Sequence, residues 1–419
     1  MLRIPLLLFA LSGALAINFR PLDEKPGLVD NGTFGPEVEV VHLFQGDAPI
    51  GVVISKTGRA FVTFNRGNLD QSPLTLVEIV NDDGEVAFPT EEFNTPPGGL
   101  TNSTSGRTVG SSDSEHVINA QGLIVDSKDR LWVLDKGRPS PGGDNLLAAP
   151  GGPKLMGFDL GANATTPFKT ITFPERILSP TGYLNDVRID LTPSLTDSGE
   201  GVAYIADSGG FGIIVVDLGT DESWRHLNQL KEVSLTSRFL PTFFGAPTFA
   251  QTPGTPSIHY QTAGGGGGID GITISPDGKF IYFTPIASRD LYRVETSALR
   301  RNTNNDTLAF LLAADSVQFL GEVGGQADGL ESDNTGKIYI SSPEHNSINI
   351  FDPDTGLVSV FVRSPILAWA DTMSVADDGF IYATVNQLWL SAGFQNGVDK
   401  RTRPFALVRI KIDGGRIPL

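Results

Sequence analysis

A chain of 419 residues, 40% apolar and without cysteine, is long enough to bury a large core but carries no disulfide, thiolate nucleophile or Cys-ligated metal. Its 48 acidic against 31 basic residues give a net charge of −17, which repels phosphate backbones and argues against a nucleic-acid partner. Charged residues are only 19%, and 48 Gly with 28 Pro favour many short strands and turns over long helices.

At the N-terminus Arg3 precedes an apolar stretch at 4–11, and Ala14-Leu15-Ala16 fits a small-x-small cleavage site. Residues 1–16 therefore read as a secretory signal peptide, and the expected location is extracellular. The apolar stretch is too short to span a bilayer, and no later run reaches about 18 apolar residues. Asn31, Asn102, Asn163 and Asn305 each begin an Asn-X-Thr pattern, the acceptor for N-glycosylation. Residues 17–36 read as a flexible arm and 37–419 as one domain.

One pattern recurs six times: a short apolar strand, a turn with Asp or Gly, and a second strand rich in aromatics. Five copies are continuous, at 51–65, 122–135, 271–285, 329–343 and 372–386; the remaining one starts at 186, and a longer hairpin separates its strands. Further strand-like segments follow most copies, such as KLMGFDL and KTITF after the second. About four strands per repeat, with period-2 alternation, is the blade of a β-propeller. The sixth copy gains only PFALVRIKI before the chain stops, while EVEVVHLF at 37–44 stands unassigned before the first. This N-terminal strand is expected to complete the last blade and close the ring, giving an all-β, six-bladed propeller. A long insertion at about 230–268, ending in Gly264 to Gly268, reads as either a cover over a site or a spacer.

The residues just before the inner strands are Ile50, Gln121, Asn185, Asp270, Asp328 and Asp371. Inner strands of a propeller run parallel, so these positions form a ring at one mouth of the channel. Close carboxylates repel unless a proton or cation lies between them, and their oxygens suit a divalent ion such as Ca²⁺. Asn185, Asp270 and Asp328 are the expected metal ligands, with Asp371 beside them. Asp before Gly at 270–271 and 328–329 equally suits a turn, and the sequence leaves both readings open. Loops on the same face begin with Asn65-Arg66, Asp135-Lys136 and Asp207-Ser208, and add His345, His116 and Tyr183. Gln121, Asn185, Asp270, Asp207, His116 and His345 are the expected ligand-binding residues, and Asp328 and Asp371 the expected acid–base pair. Trp132, Tyr204, Tyr282, Tyr339 and Tyr382 share one place in the repeat, which points to packing between blades.

The segments GLIVDSKDRLWVLDKG at 122–137, YIADSGGFGIIVVD at 204–217, DGITISPDGKFIYFTPIASRDLYRV at 270–294 and AWADTM at 368–373 resemble the major royal jelly protein/yellow family. The resemblance runs from about residue 38 to 412 and implies a secreted six-bladed propeller. Family members include dopachrome-converting enzymes, pigment-pathway proteins and binders of small amines. The absence of cysteine departs from the insect pattern and resembles a microbial or fungal branch. More distantly, Asn185-Asp186 and Asp328-Gly329 resemble the metal-bearing strands of senescence-marker-protein/gluconolactonase propellers. Ile50 stands where that group carries a Glu ligand. The resulting expectation is an enzyme acting on a small aromatic or lactone metabolite, as a dopachrome-tautomerase-like isomerase or a metal-dependent lactonase-like hydrolase. The alternatives are a non-catalytic binder of small amines or pigment precursors, and a structural propeller without a ligand.

Overall fold

The computed structural model describes residues 27, 30–67, 70–71, 73–81, 84–103, 106–109, 111–138, 148, 150–161, 164–236, 239–251 and 267–419. Six four-stranded antiparallel sheets make up most of it. The inner strands are Pro49–Ile54, Ala120–Val125, Leu184–Asp190, Ile269–Ile274, Leu330–Ser332 and Ala370–Val375, one per blade. Their second strands are Ala60–Phe64, Arg130–Asp135, Val202–Asp207, Phe280–Pro285, Ile338–Ser342 and Phe380–Val385. The third and fourth strands of blade one are Leu76–Asn81 and Gly84–Ala87, which sequence pattern alone had not picked out. Two short helices, Thr296–Leu299 and Ala309–Asp315, interrupt blade four before its outer strand Gln318–Glu322.

The last blade is assembled from both ends of the described chain. Val38–Phe44 pairs antiparallel with Phe405–Lys411, from Val38 opposite Ile410 to Phe44 opposite Phe405, with one bulge between Val40 and His42. The preceding stretch docks on blade five: Phe34 and Arg363 exchange backbone hydrogen bonds of 3.0 and 2.9 Å, and Asp30 pairs with the Arg363 guanidinium at 2.6 Å.

The core lies between blades rather than within one. Tyr204, Ile213 and Val215 of blade three pack on Ile272, Ile281 and Phe283 of blade four, and Trp132 and Leu134 pack on Leu184, Val187 and Ile205. Each such fully buried side chain contributes about 1.5–3 kcal/mol. The repeat aromatics are all buried, and three anchor their own hairpins. Trp132 donates to Asp126, Tyr339 to Asp333 and Tyr382 to Asp378, at 2.8, 3.0 and 2.7 Å.

The inner strands share a second device. In five of them the pairing register slips at the start, between Pro49 and Val52, Ala120 and Leu123, Leu184 and Val187, Ile269 and Ile272, and Ala370 and Met373. A bulge places an extra residue out of the ladder and re-aims it. The extra positions include Gln121, Asn185, Asp270 and Asp371. At Gly51, Gly122, Gly271 and Gly329 a Cβ would fall on the backbone carbonyl of Gln121, Asn185, Asp328 or Asp371 in the next blade. Glycine there permits the tight approach of neighbouring inner strands.

Candidate functional site

Five of the six expected rim residues, four of them at bulges, come together in one polar array. On blades four to six, the carboxyl groups of Asp270 and Asp328 share a hydrogen bond, with Asp371 close by. Burial, then the charges of Asp328 and Asp371, push Asp270 well above the ordinary carboxylate range. Burial, then the charge of Asp328, does the same to Asp371. Burial also pushes Asp328 up, to about 6, against the hydrogen bonds from Trp369 and Asp270 that favour its charged form. Asn386 donates to Asp371 at 2.6 Å. The three carboxyls cannot all be ionised at low cost, so a proton is held among them.

Blades one to three supply the opposite polarity. The Lys136 ammonium donates to Gln121 and Asn65 at 2.7 Å each and to the Tyr183 hydroxyl at 3.0 Å. It lies 4.8 Å from the centre of the Tyr183 ring, which Arg138 faces at 5.1 Å. Gln121 in turn donates to Asn185 at 3.2 Å, and Asn185 donates to Ser208 at 3.0 Å. Burial pushes the Tyr183 phenol up, so it stays protonated at any ordinary pH. The Lys136 charge acts across the rim to favour ionisation of Asp371.

Asn65, Lys136, Ser208 and Asn386 occupy one place in the repeat, directly after the second strand, and each bonds to a rim residue or to its partner. Sequence reasoning named three of these as loop starts without giving Lys136 a role, and missed Asn386 and Trp369. Aligning the copies on the residue after the second strand would have found the first two.

The other expected residues lie elsewhere in the network. Asp207 is fully buried, paired with Arg225 at 2.6 Å and accepting from the Tyr183 and Gly210 amides at 2.7 and 2.8 Å. Its oxygens fix the 207–210 loop and the Tyr183 backbone. His116 pairs with Asp113 at 2.8 Å and is partly exposed. His345 donates from Nε2 to the Gly324 carbonyl at 3.0 Å. Ile50 gives the rim only its backbone carbonyl, which accepts from Thr384. Among the acceptor asparagines, Asn31 and Asn305 are exposed, Asn102 lies in the strand Leu100–Ser103, and Asn163 lies outside the described residues. So do residues 1–16.

The donor types at the rim suit a hard cation, but Asp270 and Asp328 bond to each other and Asn185 is engaged by Gln121. Among the described residues no three His, Asp or Glu side chains come together in a spacing that holds a metal ion.

The described part of the insertion lies over the acidic half of this mouth. Thr236 bonds to Ala287 at 3.0 Å, and Gln251 bonds to Gly393 at 2.8 Å. Glu344 ties Thr242 at 2.8 Å while also holding Arg289. Phe243 stacks on Trp369 and Trp389, with ring centres 4.9 and 5.5 Å apart. Towards the other end of the inner strands lies a small cavity lined by Arg188, Glu331, Ser374, Arg416 and Leu419 among others. There Arg188 pairs with Asp186 at 2.9 Å, and Arg416 donates to the Ile54 carbonyl at 2.6 Å. Among the described residues no helix is long and apolar enough to cross a membrane.

Comparison with known proteins bears on this arrangement. Major royal jelly protein 7 of Apis mellifera is 27% identical over 236 residues, 52% of this chain and 47% of that protein. Protein yellow of Drosophila yakuba is 29% identical over 269 residues, 63% of this chain and 44% of that protein. The chain thus spans less than half the length of the curated relatives it matches. Among solved structures, the calcium-binding protein regucalcin from Agrobacterium tumefaciens gives a TM-score of 0.48 at 14% identity, covering 92% of this chain and 98% of that one. Virginiamycin B lyase from Staphylococcus aureus gives 0.44 at 12%, covering 89% and 97%. At such low identity and TM-score these two say nothing of chemistry. The profile of the major royal jelly protein family, by contrast, matches residues 118–413, well over half the chain. The protein belongs to the major royal jelly protein family.

Proposed function

We propose that this is an exported protein whose upper channel rim moves a proton on a small carbonyl-bearing metabolite, aromatic or lactone, as a tautomerase-type isomerase. The observation that carries the reading is the hydrogen-bonded Asp270–Asp328 pair, with Asp371 beside it and Lys136 acting from the other side of the rim. Asp328, whose proton affinity is near neutrality, takes a proton from the carbon next to the carbonyl. Lys136 and Tyr183 stabilise the negative charge that then grows on oxygen. Asp371 or the protonated Asp270 returns a proton at the far carbon, so the atoms of the substrate are conserved. Purified protein should turn over dopachrome methyl ester. Full activity in both Asp328→Asn and Asp371→Asn would remove the assigned roles.

The hydrolase form of this reading calls for a divalent cation, Ca²⁺ being the trial ion, held by Asn185, Asp270 and Asp328 in place of the shared proton. A bound cation supplies Lewis-acid polarisation of a lactone carbonyl. Calorimetry with Ca²⁺ decides between proton and cation, and an aryl lactone assay tests the hydrolysis.

A second reading is a non-catalytic binder of small amines, favoured by the three carboxyls against one lysine at the rim. Saturable binding of an amine without product from any substrate selects it. Export is supported by the 1–16 pattern and by the exposed Asn31 and Asn305. Secreted protein beginning near Ile17, with its mass lowered by enzymatic deglycosylation, is the expected result.

A further inference from the structure

Among the described residues two acceptor asparagines, Asn31 and Asn305, are exposed, and each stands beside apolar side chains open to solvent. Asn305 lies in the turn leading into the helix Ala309–Asp315, three positions before Leu308. Leu308 and Leu312 are one helical turn apart and share a face, with Leu311 beside them. They are 57%, 42% and 62% exposed in that order of naming: Leu308, Leu312, Leu311. Phe319, on the outer strand that follows, is exposed as well. Asn31 stands three positions before Phe34, which is 61% exposed where the chain pairs with blade five. The Cβ position of Gly32 lies 3.4 Å from Pro365, which brings this stretch beside the exposed Ile366. A single exposed leucine is ordinary, whereas clustered ones mark a surface that something covers.

Both asparagines are placed to carry a sugar. Asn31 Oδ1 accepts from the Thr33 amide and hydroxyl at 3.1 and 3.0 Å, and these bonds do not use its side-chain nitrogen, the atom a glycan takes. Asn305 is tied through its backbone, its amide donating to the Asn302 carbonyl at 3.2 Å. A glycan is bulky and well hydrated, and its sugar rings also present C–H faces that pack on aliphatic and aromatic side chains. A second copy of the chain is a poorer occupant, because a net charge of −17 sets copy against copy. We propose that N-glycans on Asn305 and Asn31 are the covers of these two patches, on the adjacent blades four and five. Carbohydrate then takes the place of a protein partner, shielding Leu308, Leu311 and Leu312 on one blade and Phe34 with Ile366 on the next. The inference rests on the export reading above.

The test expresses the full chain in a eukaryotic host that adds N-glycans and reads occupancy at each asparagine by mass spectrometry of the secreted protein. Fluorescence of the dye ANS follows open apolar surface, and sedimentation follows self-association. The double variant Asn31→Gln, Asn305→Gln is expected to bind ANS severalfold more strongly than the glycosylated protein and to self-associate as its concentration rises. Adding Leu311→Ser and Leu312→Ser to it should remove much of that gain. If the double variant is not secreted, trimming the folded, glycosylated protein with an endoglycosidase replaces it, with the same expectation. Occupied sites whose removal moves neither readout overturn the proposal. A secreted protein with Asn31 or Asn305 bare also overturns it and leaves the export reading standing. A chain retained in the cell sinks both. A glycosylated protein that already pairs, and that Leu311→Glu splits, assigns the blade-four face to a second copy and overturns the proposal.

Discussion

Lys136 reaches across from blade two so that its ammonium lies 2.7 Å from the side-chain oxygen of Gln121, a residue its own blade places on the inner strand by a bulge. Gln121, Asn65 and the Tyr183 hydroxyl hold the ammonium at the rim, where its field favours ionisation of Asp371. Lys136→Met removes that field and leaves Gln121, Asn65 and Tyr183 each short of a partner. Unpaired buried polar groups cost about 1–3 kcal/mol each. Thermal unfolding is expected at lower temperature, and carbonyl or carboxylate ligands should bind more weakly than amines do. Equal loss of both ligand types would show that Lys136 serves packing alone.

The rim makes stability depend on pH in an unusual direction. Asp328 is raised from 3.8 to about 6 in the fold, and Asp270 and Asp371 are raised as well. A carboxyl with a raised value stabilises the fold fully below its unfolded pKa, and that contribution is lost as pH climbs through the folded value. For Asp328 the difference is about 3 kcal/mol at neutral pH. Glu344 runs the other way: burial opposes it, but Arg289 and two backbone amides hold it low, so its contribution is lost on acidification. Tm should therefore rise as pH falls from 8 to about 5 and drop below about 4. Asp328→Asn should flatten the upper slope, and a Tm that instead falls steadily from pH 8 to 5 would contradict the raised carboxyls.

Activity, under the proton-transfer reading, should be most sensitive at the same residue. Replacing Asp328 with Asn preserves an oxygen for the Trp369 N–H yet cannot take a proton. Turnover is expected to fall about 10²–10⁴-fold while substrate affinity changes little. A fall in affinity alone, with turnover at saturation intact, would make Asp328 a binding residue.

Gly271 offers a test of the close approach between inner strands. Its Cβ position is occupied by the Asp328 carbonyl of the next blade. Gly271→Ala should cost about 1–3 kcal/mol and displace Asp328 from Asp270. Denaturant unfolding measures the first and Asp328 titration the second. By comparison Gly58→Ala, at a turn with φ +83 and open space around it, should suffer only backbone strain.

Ring closure is probed at Phe44, which is fully buried and meets the Phe64 ring edge-on at 5.6 Å. Phe44→Ala should cost about 3–5 kcal/mol and loosen the Val38–Phe44 strand before the rest. Hydrogen exchange resolved along the chain is the measurement; uniform loss of protection would mean that the last blade does not open on its own.

The blades were legible because each hairpin carries its own signal: a short apolar strand such as VVI at 52–54, a turn with Asp or Gly, and an aromatic such as Trp132 at a fixed offset. The closing strand was legible by arithmetic, since 37–44 lacked a partner and the sixth repeat lacked a strand. The rim was legible in part, because Gln121, Asn185, Asp270, Asp328 and Asp371 share one offset from a glycine or its substitute. Lys136, Asn386 and Trp369 were not, because their importance comes from which neighbour they meet in three dimensions. A histidine in a loop gave no such guidance: His345 spends its ring nitrogen on the Gly324 carbonyl. The stack of Phe243 on Trp369 joins an insertion to the turn before an inner strand more than 120 positions away, and no local periodicity encodes that meeting.

The pairing of Val38–Phe44 with Phe405–Lys411 also sets a timetable. Val38–Phe44 lacks this partner until Phe405–Lys411 has left the ribosome. At about 5–20 residues per second this leaves its backbone N–H and C=O edge unclaimed for about 20–75 s. Five blades have time to form before the sixth, which can close only after Phe405–Lys411 has emerged. Whatever shields VEVVHLF during that interval decides how much of the protein reaches the ring and how much pairs with a neighbour.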